Sequence, residues 1–598
     1  MADAWMPEED ESTRWRPSRR EWSRLAEFVS GSWRLFGASL AILTVLFGID
    51  ILGPWVLKHF IDGPLQVSMR GGVVETSTWT WWIGIYVSIL AMSFVLNMLQ
   101  IVIVTKAGQS VVRNLRIALF SHLLFMSPDY FERTQTGRLV TRISSDCENL
   151  SELFTTGVVS TLVDICKIIG LLVACFIVSP SLAVVLLFAA PLLVLLAMLF
   201  YDRARRAYRA VRGTVSRLTG WFAEATTGVR VTRIFGREDL VFSRYAALNA
   251  RTRKNWVRTI LLFGFFFGFL ELGSGSTQAI LLWPASDRIP DGRLTYGEFF
   301  QFWSYFALMV GPIRELGEKY NVIQSAFASA ERIFGILDQT STIPEAESPI
   351  AIAPGACSIK FEHVDFSYVE GTPVLRDMDF EVEAGSTVAI VGSTGAGKTT
   401  LIQLLARFRD ANSGRVLVSD QDVRDLDLRK HRRRIGIVLQ DVFLFASDIL
   451  ENVRLGDPAI SEERVVRALE AVQATELVER AGGIRAKVEE RGATLSQGER
   501  QLLAFARALV HDPQILILDE ATANVDTPTE RKIQTAMERV MRGRTTLVIA
   551  HRLSTVRHAD RILVLERGRL IESGTHDQLL EQGGRYAELA AGLADQEH

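Results

Sequence analysis

The segment from Gly392 to Thr400 has the residue types and spacing of a phosphate-binding loop. It follows the pattern G-x-x-x-x-G-K-[ST] and reads Gly392, Ser393, Thr394, Gly395, Ala396, Gly397, Lys398, Thr399 and Thr400. Glycines let backbone N–H groups close around phosphate oxygens, and Lys398 adds a cation at the outer phosphates, where it can also assist catalysis. The Thr399 hydroxyl can ligate Mg²⁺. The segment therefore predicts that ATP or GTP binds here together with Mg²⁺.

A pair of carboxylates, Asp519 and Glu520, follows a short apolar run at residues 515–518. The run predicts a buried strand, and ligands of open parallel sheets bind at the carboxyl ends of the strands. We expect Asp519 to hold Mg²⁺, directly or through water, and Glu520 to act as the general base on the attacking water. Alone, the pair would equally fit a strand ending in solvated acids. Beside a phosphate loop it predicts nucleotide hydrolysis.

The elements around these motifs must bring them to one edge of a sheet. Residues 387–391 are apolar and predict a strand that leads into the phosphate loop, and residues 401–407 predict a helix after it. This strand, loop and helix order is the context in which the loop pattern is informative. The second half of the chain is therefore predicted to be an α/β ATPase domain.

Composition separates the chain into two halves of different character. The 598 residues are too many for a single hydrophobic core, so at least two domains are expected. Apolar blocks occur before Pro312, and mixed sequence follows it. A formal net charge of -2 gives no reason to expect a nucleic-acid partner. The cysteines lack metal-binding spacing and are assigned no chemistry: Cys147, Cys166, Cys175 and Cys357.

Six apolar blocks in the first half are long enough, or nearly so, to cross a membrane as helices. A span needs about 20 predominantly apolar residues. The blocks are residues 35–56, 79–104, 153–178, 182–201, 259–283 and 296–313. Buried helices of a soluble core are the alternative for single blocks, but six such blocks favour a membrane domain.

Positive charges orient the predicted spans. Arginines precede the first block at Arg14, Arg16, Arg19, Arg20, Arg24 and Arg34. They place the N-terminus in the cytoplasm, and six spans return the C-terminus to the same side. Two long basic segments, residues 106–152 and 202–258, then lie in the cytoplasm. Their helical apolar spacing predicts long extensions of the membrane helices.

Four charged residues interrupt the first five apolar blocks. Asp164 and Lys167 are three residues apart on one helical face, and we expect them to neutralise each other. Asp50 and Glu271 have no partner within their own blocks. Such carboxylates either face a bundle interior or a water-filled cavity, or pair with another helix, and both alternatives stay open.

A third motif lies between the phosphate loop and the acid pair. Residues 495–501 read Leu-Ser-Gln-Gly-Glu-Arg-Gln, and a helical run follows at 502–510. With these motifs in this order, the chain resembles the ATP-binding cassette family, specifically six-span exporters in which a membrane domain precedes the cassette. The resemblance covers about residues 35–589 and implies transport driven by ATP.

The resemblance implies roles for further residues at the nucleotide. Tyr368 would stack on adenine, Gln440 would act as a catalytic sensor of Mg²⁺ and water, and His551 would contact the γ-phosphate in catalysis. Asp526 would lie in the loop that crosses the dimer interface. Each of these residue types also fits an ordinary strand, loop or core position. Their joint occurrence with the phosphate loop favours one shared site.

Ser496 and Gly498 would form the signature that faces the nucleotide of a second subunit. A helix that begins at the signature offers N–H groups and the Ser496 hydroxyl to a phosphate on the partner's loop. The family's signature commonly reads Leu-Ser-Gly-Gly-Gln, and this chain departs from it at Gln497 and Glu499. A carboxylate near phosphate is repulsive, so we expect a heterodimer whose partner-loop site is weaker. A homodimer stays open.

The predicted fold class is an all-α membrane domain of six helices with long cytoplasmic extensions, followed by an α/β P-loop ATPase domain with a helical subdomain. The predicted domains are a cytoplasmic segment at 1–34, the membrane domain at 35–340, a linker at 341–357 and the cassette at 358–592. Two segments resemble the family's docking loops, residues 130–139 and residues 224–228 continuing through 235–238.

The predicted function is export of an amphiphile, such as a drug, lipid or peptide, by alternating access in the plasma membrane, which is the inner membrane if the source is a bacterium. The expected cofactors are ATP and Mg²⁺, and the expected partners are a second half-transporter, membrane lipid and the substrate. The alternatives are a homodimeric lipid flippase and an ATP-gated channel or regulatory module. A soluble ATPase of the DNA-repair type is disfavoured by the apolar blocks and the absence of a long heptad insert.

Overall fold

The computed structural model describes residues 19–340, 343–352, 355–519, 527–550 and 553–596. These residues form two compact units. The helical unit comprises the described residues up to Leu124 and those from Gln135 to Gln339. The sheet unit comprises Phe125–Thr134 and the described residues from Thr340 onward. A short segment from the first half of the chain therefore belongs to the sheet unit.

Helices account for most of the helical unit. In chain order the first twelve helices are α1 (Arg19–Val29), α2 (Trp33–Phe60), α3 (Gln66–Met69), α4 (Thr76–Leu124), α5 (Pro128–Arg133), α6 (Thr136–Thr141), α7 (Cys147–Glu152), α8 (Ser160–Val178), α9 (Pro180–Thr227), α10 (Val229–Ile234), α11 (Glu238–Arg288) and α12 (Tyr296–Leu337). Short π-helical turns join some of them at Ile61–Leu65, Arg142–Asp146 and Leu153–Val159. Of these helices, α5 belongs to the sheet unit.

Four continuous helical segments of the described chain are long and apolar enough to cross a membrane. They are Ser23–Met69, Thr76–Leu124, Thr136–Val178 and Glu238–Arg288, with mean hydropathies of 1.5 to 2.4 in their most apolar windows. Large apolar side chains on them point outward, as Phe94 does with 70% of its surface exposed. Such surfaces suit lipid rather than water. The predicted blocks at 182–201 and 296–313 lie on α9 and α12, and remain predictions as spans.

Some of the helices are much longer than a bilayer requires. Helices α4, α9 and α11 contain 49, 48 and 51 residues. At 1.5 Å per residue each is about 70 Å long, against a hydrocarbon core of about 30 Å. The polar segments therefore do continue the apolar helices. On α4 the side chains of Val112, Leu115, Leu119 and Leu123 are buried, whereas that of Leu124, at the end of the helix, is exposed.

Asp50, Asp164 and Lys167 each pair with a residue of another helix, which corrects one expectation. Lys167 of α8 forms an ion pair with Asp50 of α2. Asp164 of α8 pairs with Lys319 of α12, which also lies 3.0 Å from Glu315. The expected pairing of Asp164 with Lys167 within one helix is therefore wrong. The packing of α2 and α12 against α8 brings in partners that satisfy each charge separately.

Lys319 supplies the cation for the pair between α8 and α12, so its removal should destabilise the helical unit. The side chains of Lys319 and Asp164 are only 12% and 15% exposed. Lys319→Met is expected to lower the free energy of unfolding by about 3 kcal/mol, because it leaves a buried carboxylate without a partner. Thermal unfolding in detergent measures the loss.

A matched control and a double variant isolate the ion pair. Lys254→Met removes the same charge from an exposed position of α11 and should leave the unfolding temperature unchanged. The double variant Lys319→Met with Asp164→Leu removes both charges and should recover much of the loss. Equal unfolding temperatures for Lys319→Met and Lys254→Met would contradict the structural role of the pair.

The sheet unit is built on two sheets. Its strands are β1 (Ile359–Val369), β2 (Thr372–Val382), β3 (Thr387–Gly392), β4 (Ser413–Val418), β5 (Gln421–Asp422), β6 (Ile435–Val438), β7 (Ile515–Asp519), β8 (Thr545–Ile549), β9 (Arg561–Glu566) and β10 (Arg569–Gly574). The larger sheet has the order β10-β9-β3-β8-β7-β6, and only β10 runs antiparallel to its neighbour. The smaller sheet is antiparallel, with the order β2-β1-β4-β5.

Both faces of the larger sheet are covered, which explains the continuous apolar runs of its strands. Along β7, Leu516 and Leu518 enter a core shared with helices, whereas Ile515 and Ile517 enter a core shared with the smaller sheet. The helices of this unit after α5 are α13 (Lys398–Leu405), α14 (Leu428–Arg433), α15 (Ile449–Arg454), α16 (Glu462–Ala471), α17 (Thr475–Ala481), α18 (Gln497–His511), α19 (Thr527–Met541), α20 (Leu553–Arg557), α21 (His576–Gln582) and α22 (Arg585–Gln596).

Candidate nucleotide site

The phosphate loop connects the end of β3 to the start of α13. Strand β3 ends at Gly392, and α13 begins at Lys398, one residue after Gly397. A Cβ at Gly392 would lie 2.3 Å from the Leu565 carbonyl oxygen, and one at Gly397, whose φ is 103°, would lie 2.5 Å from Leu375. Only glycine fits these two positions without displacing neighbours. The loop is therefore held close to β9 and β2 by residues without side chains.

Lys398 is folded into the loop that it follows. Its Nζ atom donates hydrogen bonds to the carbonyl oxygens of Gly392, at 2.6 Å, and Ser393, at 3.2 Å. Burial lowers the pKa of Lys398 below its usual range, and the negative charge of Asp519 opposes that shift. The ammonium group is thus placed where the predicted phosphate oxygens would meet the start of α13. Thr399 is exposed at the same helix terminus, as a Mg²⁺ ligand would have to be.

Asp519 and Gln440 reach the same sheet edge as the phosphate loop. Asp519 is the last residue of β7, and the parallel strand β8 separates β7 from β3. Gln440 follows β6, whose Val438 pairs with Leu518 of β7. The carboxyl ends of these strands are therefore aligned. Carboxylate, hydroxyl and amide oxygens are the donors that Mg²⁺ prefers, so the described residues fit this ion.

Three predicted site residues lie outside the described part of the chain: Glu520, Asp526 and His551. In the sequence, Glu520 directly follows the last residue of β7, and His551 is the second residue after the end of β8. Their roles remain predictions. In the chain, Glu520 and Asp526 come after β7 and His551 comes after β8, and β8 lies between β3 and β7 in the sheet.

Tyr368 lies beside the helix that carries the phosphate loop. It is near the end of β1, and its hydroxyl is 3.0 Å from Thr400 Oγ1 and donates to Gln403 Oε1 at 2.9 Å. The ring meets Phe366 edge-on, with centroids 5.0 Å apart. The guanidinium of Arg409 lies 4.6 Å from the Tyr368 centroid. Sequence reasoning did not identify Arg409, which has no motif of its own.

The signature begins helix α18 through a capping box. Ser496 is the N-cap, its hydroxyl accepts from the Glu499 N–H, and the Glu499 carboxylate accepts from the Ser496 N–H at 2.8 Å. Arg480 of α17 also pairs with Glu499. Burial alone would raise the pKa of Glu499, but these hydrogen bonds hold it below its usual range. The ionised carboxylate of Glu499, paired with Arg480, therefore lies at the helix terminus where the sequence predicts an anion site.

The fold and the site together define a membrane protein that carries a fused phosphate-loop ATPase domain. The chain matches the family model for the ABC transporter transmembrane region over residues 36–313, and a second family model, described as ABC transporter, over residues 375–523.

Curated relatives extend these matches over most of the chain. An uncharacterized ABC transporter ATP-binding protein, YknV of Bacillus subtilis, is 38% identical over 558 residues, which are 92% of this chain and 91% of the relative. An ATP-dependent lipid A-core flippase of Nitrosococcus oceani is 36% identical over 81% of each chain. A fatty acid ABC transporter ATP-binding/permease protein of Mycobacterium tuberculosis is 36% identical over 77% of this chain and 73% of the relative.

The chain belongs to the ABC transporter family. It is an ATP-hydrolysing exporter in which the membrane domain precedes the ATPase domain, so the resemblance and the enzyme class predicted from the motifs are confirmed. The predicted fold class is confirmed as well, as a helical membrane domain followed by an α/β nucleotide-binding domain.

Proposed function

We propose that this chain is one half of a heterodimeric exporter that moves an amphiphile out of the cytoplasm or the inner leaflet. The carrying observation is the fusion of apolar, membrane-length helices to an ATPase unit with a complete phosphate loop. The substrate class is supported by relatives named for lipid A-core and fatty acids, which are both amphiphiles. We place the protein in the plasma membrane, the inner membrane of a bacterium, with both termini in the cytoplasm.

At the nucleotide site, each residue is proposed to act on a different part of MgATP. Tyr368 stacks on adenine, and the loop N–H groups together with Lys398 hold the phosphates. Thr399, Asp519 and Gln440 hold the Mg²⁺ ion, which supplies positive charge to the β- and γ-phosphates when bound. Glu520 accepts the proton of the attacking water, His551 contacts the γ-phosphate and Asp526 contacts the partner.

The closure of two ATPase domains over two nucleotides is proposed to drive alternating access. Each signature then completes the site on the other subunit's phosphate loop. The second docking segment includes α10. The apolar side chains of Val231 and Ile234 in this helix, and of Phe235 directly after it, are exposed. We propose that α10 transmits closure by contacting the second subunit, since exposed apolar side chains of this kind mark interaction surfaces.

The chemistry of the signature supports two unequal sites. The N-terminus of a helix such as α18 attracts anions through its dipole. In this chain, however, Glu499 already accepts from the Ser496 N–H and brings a negative charge to that terminus. The site on the partner's loop is therefore proposed to be the weaker one. The site on this chain's own loop retains Lys398, Thr399 and Asp519, and depends on the partner's signature.

Purifying this chain without a partner tests the heterodimer. We expect its ATPase activity to be at least about 10-fold below that of the complete exporter, because each site of a homodimer would face a Glu499 signature. Glu499→Gln should raise the activity of the homodimer, since it removes the repulsive charge. Glu476→Gln, an exposed carboxylate of α17, serves as the control. Robust activity of the unaltered chain alone, stimulated by substrate, would favour the homodimeric flippase.

Transport into inverted vesicles tests export itself. An exporter should concentrate a labelled amphiphile against its gradient only when MgATP is present, whereas an ATP-gated channel would only equilibrate it. Stimulation of ATP hydrolysis across a panel of drugs, lipids and peptides, with both subunits present, would select the labelled compound. Equilibration without accumulation for every stimulating compound would support the channel instead.

A further inference from the structure

Arg409 lies between Tyr368 and the short helix α5. Its Nη2 atom is 2.5 Å from Asp129 Oδ1 and 2.7 Å from Glu132 Oε2, and both carboxylates belong to α5. The guanidinium carbon is 4.6 Å from the centroid of the Tyr368 ring. The side chains of Arg409 and Asp129 are each only 12% exposed. One largely buried cation thus contacts both the proposed adenine platform and a segment from the first half of the chain.

A second set of contacts also connects Tyr368 to α5. The Tyr368 hydroxyl donates to Gln403 Oε1, and the Nε2 atom of Gln403 donates to Glu132 Oε1 at 3.4 Å. The same hydroxyl lies 3.0 Å from Thr400, two residues after Lys398. Helix α5, Arg409, Tyr368 and the start of α13 therefore form one connected network inside the sheet unit.

The surroundings of Tyr368 leave limited room for a ligand on its ring. Arg409 lies over the ring, Phe366 meets it edge-on and the hydroxyl is held by α13. Tyr368 is half-buried, and we expect a purine to stack on the part of its ring that Arg409 does not cover. Such a purine would place the Tyr368 ring between a cation and a second aromatic system, and both contacts are favourable.

We propose that Arg409 is a positioning residue that couples adenine on Tyr368 to the docking of α5. This inference rests on the proposed role of Tyr368. Adenine restrains the ring, the ring and the α5 carboxylates hold the guanidinium in one place, and α5 is thereby fixed on the ATPase domain. Charge-assisted, bidentate-capable contacts of arginine suit this task, because they impose direction as well as attraction.

Thermodynamic linkage supplies the test. If adenine strengthens the docking of α5, then α5 must strengthen ATP binding by the same factor. Neither Asp129 nor Glu132 is part of the proposed nucleotide site. Even so, Glu132→Gln and Asp129→Asn are each expected to raise the Kd for ATP by about 5-fold, a typical size for coupled sites. Arg409→Gln should have at least as large an effect.

The experiment uses the full-length chain in nanodiscs, with its partner where one is required. The Kd for MgATP is measured in a Glu520→Gln background, and amide hydrogen exchange is followed in residues 125–134 with and without ATP. ATP should slow the exchange of these amides in the unaltered chain and leave it unchanged in Arg409→Gln. Arg415→Gln is the matched control, because Arg415 is exposed and pairs with Glu362 in the same unit.

Charge reversal separates coupling from a merely structural role. Arg409→Glu should lose the response of residues 125–134 to ATP, and adding Glu132→Arg should restore it. Asp129 keeps a partner in the double variant, because Arg133 lies 3.0 Å from it. Glu132 is half-exposed, so Glu132→Gln is expected to fold normally and provides an independent measurement if another variant does not.

Two results would overturn the inference. One is an ATP affinity of Glu132→Gln and Arg409→Gln equal to that of the control, and the other is a failure of Glu132→Arg to restore the response in Arg409→Glu. Either result, obtained while the unaltered chain binds and hydrolyses ATP, leaves the proposed function intact. Absence of MgATP binding in the unaltered chain would refute the proposed site itself.

Discussion

Replacing Lys398 by alanine is expected to lower the rate of ATP hydrolysis by about 100-fold or more, since a preorganised cation at the transferred phosphate contributes on this scale. In the structure the ammonium group is held inside the phosphate loop by the Gly392 and Ser393 carbonyl oxygens. Alanine removes the cation and leaves these two carbonyl oxygens without the Lys398 donor. Hydrolysis by the purified exporter and binding of a fluorescent ATP analogue measure the two effects separately.

The control for this substitution is Lys430→Ala on α14. Lys430 is exposed and follows Asp427, whose side chain caps that helix through the Lys430 backbone N–H, which the substitution keeps. Its removal should leave hydrolysis within about 2-fold of the unaltered protein, because exposed surface substitutions rarely disturb a domain. Little activity should remain in Lys398→Ala from the partner's loop, which faces the Glu499 signature. Hydrolysis near the normal rate in Lys398→Ala would contradict the assignment of the phosphate site.

Replacing Glu520 by glutamine is expected to separate ATP binding from ATP hydrolysis. The substitution keeps the size of the side chain and removes its ability to accept a proton. General bases contribute about 100-fold to 10,000-fold, so turnover should fall within that range while ATP still binds. Because hydrolysis no longer reopens the two ATPase domains, the variant should retain bound ATP through gel filtration.

Glu538→Gln provides the matched comparison for this prediction. Glu538 is an exposed carboxylate of α19, in the same unit and downstream of the same strand. It should hydrolyse ATP normally and retain none after gel filtration. Normal turnover in Glu520→Gln would refute the role of Glu520 as the general base. Asp519 or His551 would then be the candidate for the group that activates water.

The strands and the phosphate loop were predictable because their information is local. The apolar runs at 387–391 and 515–518 correspond to β3 (Thr387–Gly392) and β7 (Ile515–Asp519). Strands buried on both faces need apolar side chains at every position, and that requirement is visible in the residues themselves. The order of strands around β8 places the end of β7, and with it Asp519, at the same sheet edge as the loop.

Helix starts were less well predicted, because they depend on capping groups next to the apolar run. The helix expected from residue 401 begins at Lys398, directly after Gly397 adopts a left-handed conformation. The run expected from residue 502 begins at Gln497, because Ser496 and Glu499 cap each other. The same capping contact gives Glu499 a structural role that its position in the signature did not suggest.

The sequence by itself determined that the chain carries membrane-length apolar helices and a phosphate-loop ATPase, since both follow from patterns within short segments. Tertiary structure alone decided which charges meet. Lys167 and Asp50 are 117 residues apart, and Lys319 and Asp164 are 155 apart. Arg409 contacts Glu132 of α5, which is 277 residues away in the sequence. Residue spacing along one helix shows only which residues share a face of that helix. The partners of these charges depend instead on how separate elements pack against each other.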